Sequence, residues 1–540
     1  GRHIAFTSDR GGGDNIWVMN RDGSNPRQIS NESFRLITQP EWTPDSQYIV
    51  GRKHFTSARS LGAGEMWMWH RDGGGTGVQL TERRTQQKDT GEPAFSPDGR
   101  YLYYSDDTTP GGVFDYSKDP NTQIYVIQRL DRETGRTAPF VTGPGGSIAP
   151  TPSPDGKTLA FIRRDRYQSV LYLKDLESGR ETPLYAALDR DMQETWAIHG
   201  VYPTYAWTPD NQSIVIWAGG KIRRIDAASG QATEIPFRVN DTRTVQETVR
   251  ASVEVAPNEF DVKQIRFAQT SPDGTKVVFE ALGHVYVRDL RADGTAGPAR
   301  RLTRQTDNFE SQPKWSRDGR NIVFTTWNDQ NLGTIRIAPA SGGEGRVITS
   351  QPGHYVEPTF SPDGQTVVYR AATGGYLTTP LWSMNPGIYS VPARGGESTL
   401  ITASGSQPQF GARNDRVFVN ASADGKRVLR SMDMDGSDSR DHLISEWAAE
   451  FAVSPDEQWV AWNERFNAYV APFASSGRPI TLSADGRALP QTRMTHDAGK
   501  WLHFSADSSA LQWSHGSQLF QRKLSDSFRF VEGAQANLPS

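Results

Sequence analysis

The chain has 540 residues, with 59 basic and 62 acidic side chains and a formal net charge of −3. This balance excludes a general basic surface for binding nucleic acid or an anionic membrane. Cysteine is absent, which excludes disulfide bonds, thiolate metal sites and a cysteine nucleophile. No apolar run reaches the roughly 18 residues that a membrane-spanning helix needs, so no membrane span is predicted.

One template recurs along the chain. It has an apolar lead-in, a Ser/Thr-Pro-Asp-Gly turn and three further short strands. In the turn, proline presets the backbone, aspartate bonds the backbone two residues on, and glycine accepts positive φ. The aspartates lie at Asp45, Asp98, Asp155, Asp210, Asp273, Asp318, Asp363 and Asp456, with weaker copies at Asp415 and Asp507. A period of about 40 to 60 residues with four strands per unit is typical of propeller blades.

The segments around each turn are strand-like in length and content, as in YLYYS, TLAFIRR, SIVIWAG, KVVFEAL and NIVFTTW. Counted in chain order, five units are followed by a gap at 237–261 and then by six units. We therefore predict an all-β fold of two tandem six-bladed propellers, residues 1–245 and 246–540, joined by a partly helical connection. The first unit begins inside the turn motif and lacks its first strand. One further upstream blade would bring the first ring to six, because a propeller closes its ring to avoid open sheet edges.

The sequence lacks the common motifs of metal-dependent and serine hydrolases. No two of the ten histidines are separated by a single residue, and neither H-E-x-x-H nor the G-x-S-x-G nucleophile motif occurs. The turn aspartates lack the D-x-D-x-D-G order of calcium loops, so each is predicted to cap its own backbone. We predict no catalytic and no metal-ligating residue in this chain.

Three segments stand out as candidates for contact with a substrate or a partner. ETWAIHGVYPTYAW (194–207) and GHYVEP (353–358) precede inner strands, which line the channel of a propeller, and 370–387 forms a long turn between strands. Long loops on a rigid scaffold often carry function. Aromatic packing between blades is the alternative for the two lead-in segments. The candidate contact residues are Trp196, His199, Tyr202, His354, Tyr355, Tyr376 and Trp382.

The sequence resembles two groups of known proteins. PAFSPDGRYLYYS and PKWSRDGRNIVFTTW resemble the TolB-type (PD40, WD40-like) repeat of periplasmic six-bladed propellers. DRDMQETWAIHGVYP, WAGGKIRRID, ALGHVYVRDL, PGHYVEPTFSPDG and GGYLTTPLWSMNPGIYSV resemble the N-terminal half of a bacterial family in which two TolB-like propellers precede an amidohydrolase barrel. The second resemblance implies an exported, periplasmic protein. It places a divalent metal such as zinc in the associated amidohydrolase domain and none in this chain.

The function implied by the resemblance is non-catalytic. The propellers would shield or gate the amidohydrolase active site and select small amide or peptide substrates. The expected partners are the C-terminal amidohydrolase domain or chain and the substrate, and self-association into a homo-oligomer is a further candidate. Two alternatives stay open: a stand-alone TolB-like protein-binding module of the cell envelope, and the propeller part of a prolyl-oligopeptidase-type or tricorn-type peptidase.

Overall fold

The computed structural model describes residues 1–56, 62–114, 123–165, 168–188, 204–372 and 385–535. The chain divides into two compact units, of which the first contains residues 1–247 and the second the described residues from Thr248 onward. Within the described ranges, the regular structure consists of 43 strands and one 3-10 helix, Leu524–Asp526. The all-β prediction is therefore confirmed.

In its described residues, the first unit contains five antiparallel sheets. Its first sheet has the order β1-β2-β3, and the next four sheets each contain four strands in chain order, from β4–β7 to β16–β19. The strands are β1 (His3–Ser8), β2 (Asn15–Asn20), β3 (Arg27–Gln28), β4 (Ile37–Trp42), β5 (Tyr48–Thr56), β6 (Gly62–His70), β7 (Val78–Gln79), β8 (Thr90–Phe95), β9 (Tyr101–Asp107), β10 (Tyr125–Asp131), β11 (Thr137–Val141), β12 (Ile148–Pro152), β13 (Thr158–Asp165), β14 (Gln168–Asp175), β15 (Glu181–Tyr185), β16 (Ala206–Trp207), β17 (Ser213–Ala218), β18 (Lys221–Asp226) and β19 (Ala232–Ile235).

The described part of the second unit contains six sheets. Five contain four strands or more, and the last has the order β41-β42-β43. The strands are β20 (Arg266–Thr270), β21 (Lys276–Ala281), β22 (His284–Asp289), β23 (Arg300–Arg301), β24 (Phe309–Trp315), β25 (Asn321–Trp327), β26 (Thr334–Pro339), β27 (Arg346–Val347), β28 (Tyr355–Phe360), β29 (Thr366–Ala371), β30 (Gly387–Pro392), β31 (Thr399–Thr402), β32 (Ser406–Phe410), β33 (Arg416–Ala423), β34 (Lys426–Asp433), β35 (Arg440–Ser445), β36 (Ala448–Val453), β37 (Trp459–Glu464), β38 (Asn467–Pro472), β39 (Ile480–Thr481), β40 (Thr492–Arg493), β41 (Lys500–Phe504), β42 (Ala510–His515) and β43 (Gln518–Lys523).

The repeated turn joins the first two strands of each sheet, and its side chains act as predicted. In one copy, Ser96 Oγ donates to Asp98 Oδ1 at 2.5 Å, and the Arg100 N–H donates to the same oxygen at 3.0 Å. The Tyr101 N–H donates to Ser96 Oγ at 2.9 Å, and Gly99 has a φ of 74°. The motif therefore satisfies its own polar groups and turns the chain sharply between two strands.

The core of each unit lies between neighbouring sheets. On β13, Leu159 and Phe161 pack in a cluster with the preceding sheet, whereas Ala160 and Ile162 pack in a cluster with the following one. Successive side chains of a strand point to opposite faces. Since both faces of a blade are covered, its second strand is a continuous apolar run rather than an alternating one.

The second unit closes into a ring. Its innermost strands, β20, β24, β28, β32, β36 and β41, contact one another in this order, and β41 returns to β20. At the junction of the first and last sheets, the Ile265 N–H donates to Gly516 O at 3.0 Å and Thr270 Oγ1 donates to Gln512 Oε1 at 2.9 Å. The six sheets are therefore the blades of a propeller around a central channel. In the first unit, the inner strands of the five sheets contact one another in chain order, and the further upstream blade stays a prediction.

One detail of the sequence interpretation was wrong: residues 236–265 contain no helix, so the connection is not partly helical. The structure also shows an exchange of strands between two blades. Ile480–Thr481 (β39) pairs in parallel with β35 of the preceding blade, and Thr492–Arg493 (β40) supplies the fourth strand beside β38. A two-residue strand carries too little pattern to specify its partner, so the pairing is set by where the connecting chain runs.

Candidate functional site in the channel of the second unit

The inner strands of the second unit bulge where they face the channel. Their pairing shifts register on β24, β28 and β32, and at these places Gln312, Glu357 and Gln407 have φ values of 55°, 59° and 50°. A bulge leaves backbone groups outside the sheet ladder and re-aims a side chain. Polar side chains are therefore needed at these positions to bond the backbone groups that the bulges leave free. These side chains lie around the channel.

These side chains link each blade to the next. The Glu357 N–H donates to Gln312 Oε1 at 2.5 Å, and the Gln407 N–H donates to Glu357 Oε2 at 2.6 Å. Gln407 Nε2 then donates to Glu450 Oε2 at 2.8 Å. Each bond crosses from one inner strand to its neighbour, so the network ties four blades together at the channel.

The two channel glutamates have different surroundings. Arg370 holds Glu357 in a fork, with Nε to Oε2 at 2.9 Å and Nη2 to Oε1 at 2.8 Å. Burial raises the pKa of Glu450, and hydrogen bonds from Gln407 and from the Leu502 N–H only partly oppose this shift. Glu357 is thus neutralised by a dedicated cation, whereas Glu450 has none in direct contact.

Lys314 is influenced by the charges of both acids but has no direct partner among the described residues. It lies on β24 and is half-buried. Burial lowers the pKa of Lys314, and the charges of Glu357 and Glu450 act in the opposite direction. Among the residues that the structure describes, no acceptor lies within hydrogen-bond or ion-pair distance of its ammonium. A partly desolvated ammonium that faces a channel without an acceptor is a ready-made group for binding an anion.

His503 of β41 completes the channel cluster as a neutral ring. Its Nδ1 lies 3.2 Å from Trp501 O, and its Nε2 lies 2.5 Å from Gln512 Oε1. Burial lowers the pKa of His503 to about 4, and the nearby charge of Lys314 adds to this effect. His503 therefore adds no positive charge beside Lys314 at neutral pH.

The structure describes only some of the residues singled out by the sequence. Trp196, His199, Tyr202, Tyr376 and Trp382 lie outside the described residues. Of the same first segment, Tyr205 is buried, and its hydroxyl donates to Ala149 O at 2.6 Å, which is a packing role between blades.

The other two predicted residues lie at the start of β28. His354 meets the Trp327 ring edge-on, with 5.6 Å between centroids. Tyr355 packs edge-on against Tyr369 at 5.1 Å, and its hydroxyl donates to Gln351 O at 2.9 Å. These are contacts within the blade assembly, and they do not place either residue in the cluster around Lys314.

Sequence reasoning missed Lys314, Glu357, Glu450 and His503. A signal was present, because each lies four to six residues before the aspartate of its turn motif, on the strand that faces the channel. Because the inner strand precedes the turn motif by a nearly constant number of residues, the motif can be used to locate the channel-facing residues in the sequence as well as the blades.

A second polar cluster lies in the first unit and is internal. The buried Arg52 donates from Nε to Asp89 Oδ1 at 3.0 Å and to Thr90 O at 3.2 Å, and its Nη2 lies 3.1 Å from His54 Nδ1. Burial raises the pKa of Asp89, and the Arg52 charge opposes that shift. These groups contact one another, so we assign the cluster to structure rather than to ligand binding.

Metal clusters and membrane-spanning helices are both missing from the described residues. In the ranges that the structure covers, no group of three or more His, Asp or Glu side chains is arranged to hold a metal ion. No helix found there is long and apolar enough to cross a membrane.

Comparison with protein families identifies one domain. The family model of PD40, the TolB beta propeller domain, matches residues 262–500. These residues include the inner strands that carry Lys314, Glu357 and Glu450.

Similarity to individual proteins covers shorter parts of the chain. The Tol-Pal system protein TolB of Francisella tularensis subsp. mediasiatica is 36% identical over 84 residues, which are 16% of this chain and 19% of that protein. Dipeptidyl-peptidase 5 of Porphyromonas gingivalis is 30% identical over 131 residues, 23% of this chain and 17% of that protein. The chain thus spans less than a fifth of the length of these relatives.

Among solved structures, the putative TolB from Agrobacterium tumefaciens is similar, with a TM-score of 0.37 and 17% identity, over 48% of this chain and 90% of that one. The matched family model and the closed ring of six blades agree on the same part of the sequence. The second unit of this chain therefore contains a TolB-like (PD40) β-propeller domain.

Proposed function

We propose that this chain is the non-catalytic propeller region of an exported hydrolase that acts on amide or peptide compounds. Its role is to admit and select substrate for a catalytic domain. The absence of nucleophile and metal-binding motifs from the sequence supports a non-catalytic role. The likeness of five segments to proteins with an amidohydrolase barrel supports a metal-dependent hydrolase as the partner domain. In that arrangement the divalent metal belongs to the partner domain, and the location is the periplasm.

The observation that carries the selective role is the unpartnered ammonium of Lys314 in the channel of the second propeller. A carboxylate that enters the channel would gain a charge-assisted hydrogen bond there. Such bonds are about twice as strong as neutral ones. The site therefore suits compounds that carry a free carboxylate.

A second candidate function is the propeller part of a serine peptidase. It is favoured by the partial match to Dipeptidyl-peptidase 5, in which the shared region is 131 residues long. A third, a stand-alone envelope module, is favoured by the match to TolB. The three candidate functions predict different activities for the gene product that contains this chain: metal-dependent hydrolysis, serine-dependent hydrolysis, or binding without hydrolysis.

The reaction is tested with that gene product. We expect it to hydrolyse N-acyl amino acids or short peptides and to lose this activity on chelation. Inhibition by an organophosphate but not by a chelator would instead assign the chain to a serine peptidase. No hydrolysis under either condition would favour the binding module. The purified 540 residues alone are expected to show no hydrolysis.

Binding is tested separately by calorimetry on the 540-residue chain. We expect saturable binding of N-acetylglycine and none of N-acetylglycinamide, which lacks the carboxylate. Lys314→Met should weaken binding about tenfold or more, the range of a lost charge-assisted hydrogen bond. The control is Lys276→Met, because Lys276 is a partly exposed lysine of β21 that pairs with Asp289. Equal binding by the two variants, or equal binding of the acid and the amide, would contradict the role of Lys314.

A further inference from the structure

The bulged positions of the inner strands form a ring around the channel of the second unit. On β20 and β41 the pairing shifts register as it does on β24, β28 and β32, and Phe267 and Trp501 lie at these shifts. Their φ values are 50° and 57°, close to those of Gln312, Glu357 and Gln407. Because a bulge of the same kind aims its side chain in the same direction, Phe267 and Trp501 occupy two further positions of the ring that faces the channel.

The ring has a polar part and an aromatic part. In four consecutive blades it holds glutamine or glutamate side chains, which bond from blade to blade. In the last and the first blade it holds Trp501 and Phe267, whose ring centroids lie 5.4 Å apart with 52° between the ring planes. Neither of these side chains has an atom that can accept a backbone N–H, as Gln312 does from Glu357. The aromatic pair therefore does not continue the network that joins the blades.

Both aromatic side chains keep part of their surface free. Phe267 and Trp501 are half-buried, whereas the residues next to them, Ala268 and Leu502, are buried and belong to core clusters. A bulky side chain at positive φ carries a steric cost in the backbone. Residues held in such conformations cluster at ligand-binding sites. A half-exposed aromatic pair at this position is therefore a candidate binding surface.

The aromatic pair lies on the same side of the channel as Lys314. The inner strands follow one another in the order β41, β20 and β24, so Trp501, Phe267 and Lys314 come from three neighbouring blades. The charge of Lys314 reaches the imidazole of His503, and Nδ1 of that ring lies 3.2 Å from Trp501 O. The two rings and the ammonium are thus neighbours along one arc of the channel wall.

We propose that Phe267 and Trp501 form an aromatic platform, which stacks the planar ring of a ligand whose carboxylate is bound by Lys314. The assignment rests on the proposed function, in which Lys314 binds the carboxylate, and it narrows the ligand to aromatic acyl derivatives of amino acids. Aromatic rings attract one another in offset or tilted contacts with centroids about 4.5–7 Å apart, so a third ring can add to the existing pair. The ammonium fixes one end of the compound, and the platform discriminates between compounds by the group at the other end.

The platform is tested by calorimetry on the 540-residue chain with three related carboxylates. N-benzoylglycine carries a flat ring, N-cyclohexylcarbonylglycine carries a saturated ring of similar size, and N-acetylglycine carries no ring. We expect N-benzoylglycine to bind about fivefold to tenfold more tightly than N-acetylglycine, which is the range of one aromatic contact. It should also bind more tightly than the saturated compound. Equal binding of the flat and the saturated ring would overturn stacking on the platform.

Variants assign the ring preference to these two residues. Trp501→Leu should reduce the ratio of the affinities for N-benzoylglycine and N-acetylglycine to about twofold or less, whereas Trp501→Phe retains a ring and should retain most of the ratio. Phe267→Leu tests the other ring and replaces Trp501→Leu if circular dichroism shows that this variant does not fold. Trp447→Leu is the matched control, because Trp447 is 56% exposed and its ring lies beneath the Arg465 guanidinium. An unchanged ratio in both leucine variants of the platform, or an equal loss in Trp447→Leu, would overturn the proposal.

N-benzoylglycinamide separates the platform from the role of Lys314, because it retains the ring and lacks the carboxylate. Weaker binding of this amide, together with a ring preference among the carboxylates, would support both assignments. A ring preference with equal binding of the acid and the amide would support the platform and contradict only the role of Lys314. A difference between the acid and the amide without a ring preference would overturn the platform and leave the role of Lys314 standing.

Discussion

At the scale of single residues, the channel of the second propeller combines the ammonium of Lys314 with the neutral imidazole of His503. The two residues come from different blades, yet the charge of Lys314 contributes to the low pKa of the imidazole. The same low-dielectric surroundings disfavour the charged form of both groups. The protonation of His503 therefore depends first on its burial and in part on the charge of Lys314.

This coupling gives a residue-scale prediction. The pKa of His503 should lie near 4, well below the ordinary value of 6.5, so that its ring is neutral at pH 7. Lys314→Met removes a nearby positive charge, which favours the protonated imidazole, and should raise the pKa of His503. The measurement is an NMR titration of labelled histidine, with His503→Gln to assign the signal. A pKa that is unchanged in Lys314→Met would show that the two groups do not interact.

At the scale of elements, β6 of the first unit approaches β8 of the next blade so closely at one residue that only glycine fits there. Gly64 of β6 lies against the Arg52 cluster: a Cβ built on it would overlap Thr90 O and would lie 2.6 Å from Arg52 Nε. Both neighbours are held by hydrogen bonds, because Arg52 Nε donates to Thr90 O and to Asp89 Oδ1. They cannot move away without leaving buried polar groups unpaired, and that is costly.

We therefore expect Gly64→Ala to destabilise the chain by about 1–3 kcal/mol, the usual cost of overpacking. Gly75→Ala is the matched control, because Gly75 is exposed and a Cβ added there would meet only the Gly77 nitrogen, at 4.0 Å. This control should be neutral or slightly stabilising, because alanine restricts the unfolded chain. Denaturant unfolding measures the free energy of unfolding of both variants. An equal change in the two would mean that the side chains around Arg52 rearrange at little cost to accept the added methyl group.

What the sequence predicts well in this chain is local. The turn of Ser96 and Asp98 works within six residues, so its pattern alone specifies the bend and, by repetition, the blades. The channel cluster joins side chains from β24, β28, β36 and β41, and their proximity depends on the closure of the ring. The partner of β39 likewise depends on the path of the chain rather than on its two residues. Local chemistry could therefore be predicted from the sequence, whereas contacts between blades needed the structure.

At the scale of the whole molecule, the turn aspartates act as a set. The pKa values of Asp45, Asp98, Asp155, Asp210, Asp273, Asp318, Asp363 and Asp507 are all lowered, in each case first by a Ser or Thr hydroxyl. Backbone N–H donors add to the effect in each of these turns. Since the turns are distributed over both units, any effect of their protonation is felt throughout the chain.

The sign of the resulting pH dependence follows from linkage. A carboxyl with a lower pKa in the folded state binds fewer protons there than in the unfolded state. Its contribution to stability is present above the unfolded pKa, near 3.8, and is lost as the pH falls through the folded pKa. We therefore compare the wild-type chain with the combined variant Ser96→Ala, Ser153→Ala, Ser316→Ala and Ser361→Ala, which removes four of the hydroxyl donors.

The wild-type chain should have the higher Tm at pH 7, and its advantage should shrink below about pH 4, where the aspartates become protonated. It should not vanish, because each serine oxygen also accepts a backbone N–H, as Ser361 does from Thr366 at 3.0 Å. Thermal unfolding followed by circular dichroism from about pH 7 to about pH 3 measures both curves across this range. Ser404→Ala, at an exposed serine outside the turns, is expected to follow the wild-type chain at every pH. A Tm difference that stays constant over the whole range would mean that the hydroxyls, and not the aspartate charges, carry the stability of these turns.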